Sequence, residues 1–291
     1  TIIFAHNYLK NKDFDSLFAF LCNNVVLIYV STENLDDAFK LFTVLNNRGV
    51  KLRNADILKA DNLSNVPENL QDGYAKQWED IESYFGEDFD KFLSHLQSVL
   101  VKEKARLSLL DEFEKNIFLA KRLNKGDDFF NFINKYKENY EYLFDTTQDK
   151  QLKSLLILMQ VGFESDIWIA PLLKYYDKFK EENLVKFVEK LNNKFASDWI
   201  SQLTPTERIK NMNEIVNKID NANNSEEILQ DTALNINKQE LTAFIEGNVY
   251  GKRPTRYLLL RLNYLYSDID TVLSLPETIS IEHILPQNPK A

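Results

Sequence analysis

The sequence predicts a mainly α fold, a multi-helix bundle-like body with a short β element near the N-terminus and another extended segment near the C-terminus. Three observations carry this. Only 7 Gly and 7 Pro occur in 291 residues, whereas sheets of many short strands consume turn residues at a higher rate. Apolar residues recur at helical spacing through most of the chain. Hydrophobic residues make up 44 %, which is enough for a sizeable core in a chain of this length.

Taken in order, Phe14 to Cys22 reads as a helix end, and Val25-Val26-Leu27-Ile28-Tyr29-Val30 follows as a β-branched run of strand length. Leu35, Ala38, Phe39, Phe42 and Leu45 return to helical spacing, and Gly49 suits the left-handed residue that closes such a helix. Asn54 is placed to cap the next helix, with Asp56 in its first turn at the positive end of the dipole. Ser64 to Gly73 reads as a boundary loop. Beyond it, Leu107, Leu110, Phe113, Ile117 and Ala120 form one helical stripe, Phe129, Phe132, Ile133, Tyr136, Tyr140 and Leu143 another, and Leu184, Val188, Leu191, Phe195 and Trp199 a third. Such stripes, like Trp78, Trp168 and His95, are read as core. Thr204-Pro205-Thr206-Glu207 spells a helix start, and Asn221 to Ser225 is a polar break. A short helix then runs to Gly247, another spans Pro254 to Tyr266, and Ile279 to Ile284 reads as a strand.

Composition bounds the function. A single cysteine, Cys22, excludes an internal disulfide, and with only three histidines a Cys/His zinc cluster of the usual spacing is excluded too. The chain reads as cytoplasmic, and no apolar run approaches the roughly 20 residues that span a bilayer. Thr1 stands where an initiating Met would, so the natural start is expected upstream. With a formal net charge of −9, nucleic acid would have to be met by a local basic patch rather than by the overall field.

The best such patch is Gly251-Lys252-Arg253-Pro254-Thr255-Arg256 with Arg261 beyond it, a stretch with no acid between Gly247 and Ser267. Lys252, Arg253, Arg256 and Arg261 are candidates for phosphate-backbone contact, although charge runs are more often solvated helix surface. Leu258, Leu259, Leu260 and Leu262 supply the apolar face expected to seat this helix. Further on, Ile281-Glu282-His283-Ile284-Leu285-Pro286-Gln287 places an acid beside a histidine. A neutral imidazole can take the proton from an attacking water, and a neighbouring carboxylate offers the hard oxygen that magnesium prefers. Pro286 would end the strand close by. Taken alone, such a pair is ordinary surface more often than not.

The two ends read together change that weighting. The stretch from Ala38 through Asn46-Asn47-Arg48-Gly49 to Asp56-Ile57-Leu58-Lys59 resembles the F-x-x-L-N-x-R-G-x-x-L-x-x-x-D-x-L-K signature of the GmrSD-type restriction endonuclease family. The closing Ile-Glu-His-Ile-Leu-Pro-Gln resembles the start of that family's HNH, or His-Me finger, nuclease domain. The resemblance implies an enzyme of bacterial defence that cuts DNA, often modified phage DNA, with Mg²⁺ or Mn²⁺, coupled to a nucleotide triphosphate. It also implies the layout. Residues 1–66 would end a ParB-like, nucleotide-sensing domain, 74–275 would form a helical domain, and 276–291 would open a ββα-type HNH finger with its first strand. By the same resemblance His283 matches the general base and Glu282 the acidic metal ligand, while Asn46, Arg48, Gly49, Asp56 and Lys59 match the N-terminal signature. The D-G-Q-Q-R motif of the family's nucleotide-handling domain does not occur in this sequence, so NTP would be bound largely outside it, and the later Asn or His of the metal site would lie beyond Ala291. Arg48 suits a phosphate or, equally, a buried pair with Asp56. The sequence leaves the oligomeric state open, and it leaves open a second class of function, a non-enzymatic helical scaffold for protein or DNA.

Overall fold

Residues 14–26, 53–268, 270–276, 279 and 281 are described by the computed structural model, and every regular element among them is helical. The chain divides into two units, Thr1–Leu52 and Arg53–Ala291. In the first, α1 (Phe14–Asn24) exposes Phe14, Phe18 and Leu21. Val25 and Val26 follow it without regular structure, whereas Leu27 to Val30 and the predicted helix to Gly49 lie outside the described residues.

The second unit begins with α2 (Asn54–Leu63), α3 (Glu68–Phe85) and α4 (Phe89–Val101). A single turn, α5 (Leu109–Asp111), widens into a π-helix over Glu112–Phe118. Then come α6 (Asp127–Glu141), extended by a π-helical turn Tyr142–Thr146, and α7 (Lys150–Gly162), α8 (Ile169–Phe179) and α9 (Leu184–Ile200). The last helices are α10 (Pro205–Asn221), α11 (Ser225–Gln230), α12 (Lys238–Glu246) and α13 (Thr255–Tyr266).

The aromatic stripes become the core. Trp78 of α3 is fully buried, its ring centroid 5.0 Å from Phe89 and 5.8 Å from Phe129. Tyr175 of α8 stacks on Phe187 of α9 at 3.9 Å. Helix α8 lies at the centre, packed against α4, α6, α9 and α10, which explains why Leu172, Leu173 and Tyr175 are all shielded from water. Trp168 is buried and Trp199 half-buried against the same core.

Local chemistry sets most helix ends. At α10 the Thr204 hydroxyl accepts the Glu207 N–H at 3.3 Å and the Glu207 carboxylate accepts the Thr204 N–H at 2.8 Å, the capping box its sequence spells. Elsewhere tertiary contacts override the local reading. Asn54 does not cap α2; its amide donates to Asp90 of α4 at 2.8 Å, and Arg53 occupies the cap position. The boundary loop is shorter than expected, because α3 begins at Glu68 directly after Pro67 and absorbs the rest of the polar stretch. Helix α2 buries Ala55 and Leu58 in the core of the second unit, beside α3 and α4.

The carboxy end of α10 is bound by lysines. Lys178 donates to the carbonyls of Ile219 and Asp220 at 2.9 and 2.7 Å, satisfying acceptors that a helix end leaves open. Asp220 itself pairs with Lys102 and Lys174. Burial pushes the Asp220 carboxyl up, but hydrogen bonds from the two lysines outweigh that and hold it below the usual carboxylate range. A group lowered in this way contributes stability that is fully present above its unfolded pKa, about 4, and is lost as pH falls through the folded value. Stability measured by urea denaturation is therefore expected to fall below about pH 4, less steeply in Asp220→Asn. Equal slopes in both proteins would count against this pairing.

Candidate nucleic-acid interface

Of the residues the sequence marks, Asp56, Lys59, Lys252, Arg253, Arg256 and Arg261 are described, whereas Asn46, Arg48, Gly49, Glu282, His283 and Pro286 lie outside the described residues. Asp56 accepts the otherwise orphaned N–H of Arg53 at 3.2 Å, and Lys59 pairs with Glu79 of α3 at 3.0 Å. Both bonds fasten α2 locally.

The basic stretch is shaped by the turn entering α13. Gly251 takes φ +73°, a left-handed conformation that glycine adopts without a Cβ clash. Val249 then offers its carbonyl to the Lys252 N–H at 3.2 Å and to the buried Thr255 hydroxyl. This fixed turn presents Lys252, Arg253 and Arg256 to solvent. The Lys252 ammonium lies 4.7 Å from the Phe244 ring. Arg253, 81 % exposed, sits 3.9 Å from the exposed carboxylate of Glu164, a separation at which the attraction is weak in water. Arg256 has no hydrogen-bond or ion-pair partner among the described residues.

Arg261 is placed differently. Five residues after Arg256, it is turned by about 140° around the helix. Its guanidinium stacks 5.0 Å from Tyr264 and reaches Asn193 of α9 at 3.5 Å. Three of the marked cations therefore share the turn and the first turn of α13, and the fourth braces α13 on α9. Glu164 and Phe244 are neighbours of this patch that the sequence reading did not name; nothing in their local spacing signals it.

The seat of α13 also departs from the leucine face expected of it. Tyr257 and Leu260 are buried, whereas Leu259 and Leu262 remain about half exposed. Tyr257 does the anchoring. Its ring stacks on Phe163 at 4.6 Å, and a Cβ on Gly162 would come 2.9 Å from it, so glycine lets α7 and α13 approach. The Tyr257 hydroxyl donates to fully buried Asn192 at 2.5 Å, and burial raises its pKa well above the ordinary phenol range. Tyr257→Phe is expected to cost about 1–3 kcal/mol by leaving the Asn192 oxygen without that donor. Urea denaturation of the variant checks this, and an unchanged midpoint would show that the bond contributes nothing net.

His95 is nearly buried, with Nε2 3.5 Å from the Asp166 carboxylate. That hydrogen bond, opposed by burial, holds the Asp166 carboxyl below its ordinary range. Among the described residues, no group of three or more His, Cys, Asp or Glu is arranged to hold a metal ion, and no helix is long and apolar enough to cross a membrane. These features define a mainly helical protein with a solvent-facing cationic turn. No family model, curated protein or solved structure matches the chain.

Proposed function

We propose that this chain is part of a GmrSD-like DNA endonuclease of bacterial defence, one that hydrolyses phosphodiester bonds, with modified phage DNA as the expected substrate, and couples cutting to NTP binding or hydrolysis. The observation that carries the reading is the occurrence, in the family's order, of the Asn46–Lys59 signature and the Glu282-His283 motif at opposite ends of one chain. The helical body between them is consistent with the family's layout. The exposed cations Lys252, Arg253 and Arg256 supply a place for phosphates shortly before the histidine.

In this reading the His283 imidazole takes a proton from water as the water oxygen attacks phosphorus and the bond to the leaving oxygen breaks. Glu282 offers an oxygen of the kind hard cations take, so the donor chemistry fits Mg²⁺ or Mn²⁺ at that one position, and the other ligands would come from beyond the described residues. A divalent cation bound there would stabilise negative charge on the phosphate and leaving oxygen. The nucleotide would be held mainly outside the present sequence.

The test uses the full-length protein with phage DNA carrying modified bases, Mg²⁺ and each common NTP. Cleavage abolished by a chelator is the expected result, and intact DNA under every combination of metal and nucleotide would sink the proposal. Neutralising Lys252, Arg253 and Arg256 together is expected to flatten the plot of log affinity against log salt by about 2–3 units of slope, close to one per lost phosphate contact. An unchanged slope would remove this turn from the DNA interface.

A further inference from the structure

Residues 102–106 and 121–125 are short basic segments, and Lys104 and Arg106 of the first and Arg122 of the second line one cleft. The cleft measures about 480 Å³ and lies between the carboxy end of α4, the loop before α5 and the π-helix. The cations of the two segments differ in partner, and Lys121 is exposed outside the cleft lining. Lys102 is paired with Asp220, and Lys125 with Asp61 and Glu114 at 2.9 and 2.8 Å. The cations that line the cleft, Lys104, Arg106 and Arg122, have no carboxylate partner among the described residues. Lys104 donates to the Thr206 hydroxyl at 2.9 Å, and Arg122 to the carbonyls of Leu100 and Val101 at 3.0 and 3.3 Å. The Arg106 guanidinium is exposed and has no partner among the described residues.

Glu112, the first residue of the π-helix, builds the floor. Only 2 % exposed, it accepts the backbone N–H groups of Arg106 and Leu107 at 2.7 and 3.0 Å, the Asn116 amide at 2.6 Å and that of Gln97 at 3.2 Å. Its negative charge is thus met by inward-facing donors while it pins the loop that carries Lys104 and Arg106. Glu103 is the exposed acid of the rim. Widened helical turns of this kind recur at functional sites, and the volume falls within the range of about 300–1,000 Å³ typical of small-molecule sites.

We propose that this cleft binds a compact polyphosphate anion, held by Arg106, Lys104 and Arg122, with Glu112 as the residue that positions the loop. The lining carries one more cation than carboxylate, Lys104, Arg106 and Arg122 against Glu103 and Glu112. Cations without a carboxylate partner attract multivalent anions, and a concavity of this size suits a small ligand better than a duplex. The inference is independent of the nuclease reading.

The experiment is calorimetric titration of the protein with inorganic triphosphate. Saturable binding is expected, weakened about tenfold or more by Arg106→Ala, the loss of one charge-assisted contact, and by Lys104→Ala. Both residues are exposed, and thermal melts would confirm that both variants stay folded. Binding should survive neutralisation of Lys252, Arg253 and Arg256. Absence of saturable binding, or binding indifferent to both Arg106→Ala and Lys104→Ala, would overturn the proposal. So would a loss of duplex-DNA affinity in these variants when the unaltered protein binds no triphosphate, which would assign the cations to DNA. Metal-dependent DNA cleavage by the full-length protein, with no saturable triphosphate binding by the unaltered protein, would leave the nuclease reading standing while this one falls.

Discussion

Alanine at His283 is expected to lower DNA cleavage by the full-length protein about 10²–10⁴-fold, the range over which a positioned general base accelerates proton transfer. The loss should fall on kcat, because in the proposed mechanism the imidazole acts on the attacking water rather than on the DNA, and phosphate contact is proposed for Lys252, Arg253 and Arg256. DNA affinity without metal should therefore stay near that of the unaltered protein. Under the proposed mechanism, added imidazole should restore part of the rate in His283→Ala, since a small exogenous base can supply the missing proton acceptor. Glu282→Gln should behave differently, shifting the metal concentration needed for half-maximal cleavage, because an amide is a weaker ligand for a hard cation. His283→Ala cutting at the full rate would remove this residue as the base. Loss of DNA affinity in the same variant would point to a structural role for the ring.

The largest stability effect is expected at Gly126, where alanine should cost about 2–4 kcal/mol, in the range set by backbone strain plus a forced shift of packed atoms. Gly126 has φ +82°, and a Cβ there would meet the Asn65 carbonyl oxygen at 2.7 Å, a backbone atom that cannot swing aside. Its N–H also donates to Asn62 at 3.1 Å. Asn62 is fully buried and in turn donates to the Leu58 carbonyl at 2.8 Å. Displacing Gly126 would thus leave a buried amide oxygen unsatisfied and loosen α2 from the start of α6. Gly86 supplies the comparison. It also has positive φ, +56°, but a Cβ there meets nothing within 4 Å, so Gly86→Ala should cost only the backbone-strain penalty of about 1–3 kcal/mol. Denaturation midpoints of the two variants decide the point. Equal losses would mean that the contact with Asn65 is relieved at no cost.

Much of the fold is legible in the sequence because helices announce themselves locally. The stripe through Leu184, Val188, Leu191 and Phe195 is buried residue for residue in α9, and Thr204 with Glu207 caps α10 as written. The misread positions are those where a distant group offers a better bond. Asn54 would cap α2 if Asp90 were not beside it, and Leu259 and Leu262 look core-facing until Tyr257 takes the seat against Phe163. The candidate site is legible in the same uneven way. Lys252, Arg253 and Arg256 stand together in sequence and on the same turn, whereas Arg261, close in sequence, is drawn off to α9.

By itself, then, the sequence determined the helical class, most helix positions, the cationic turn before α13 and the two motifs behind the nuclease proposal, because each depends on residues a few positions apart. Only the tertiary structure decided that α8 is the central helix, that Glu112 folds the preceding loop onto a π-helix, and that Lys104, Arg106 and Arg122 line one cleft. Those outcomes depend on which apolar faces meet across long separations in the chain. Periodicity shows that a face is apolar; it does not show what covers it.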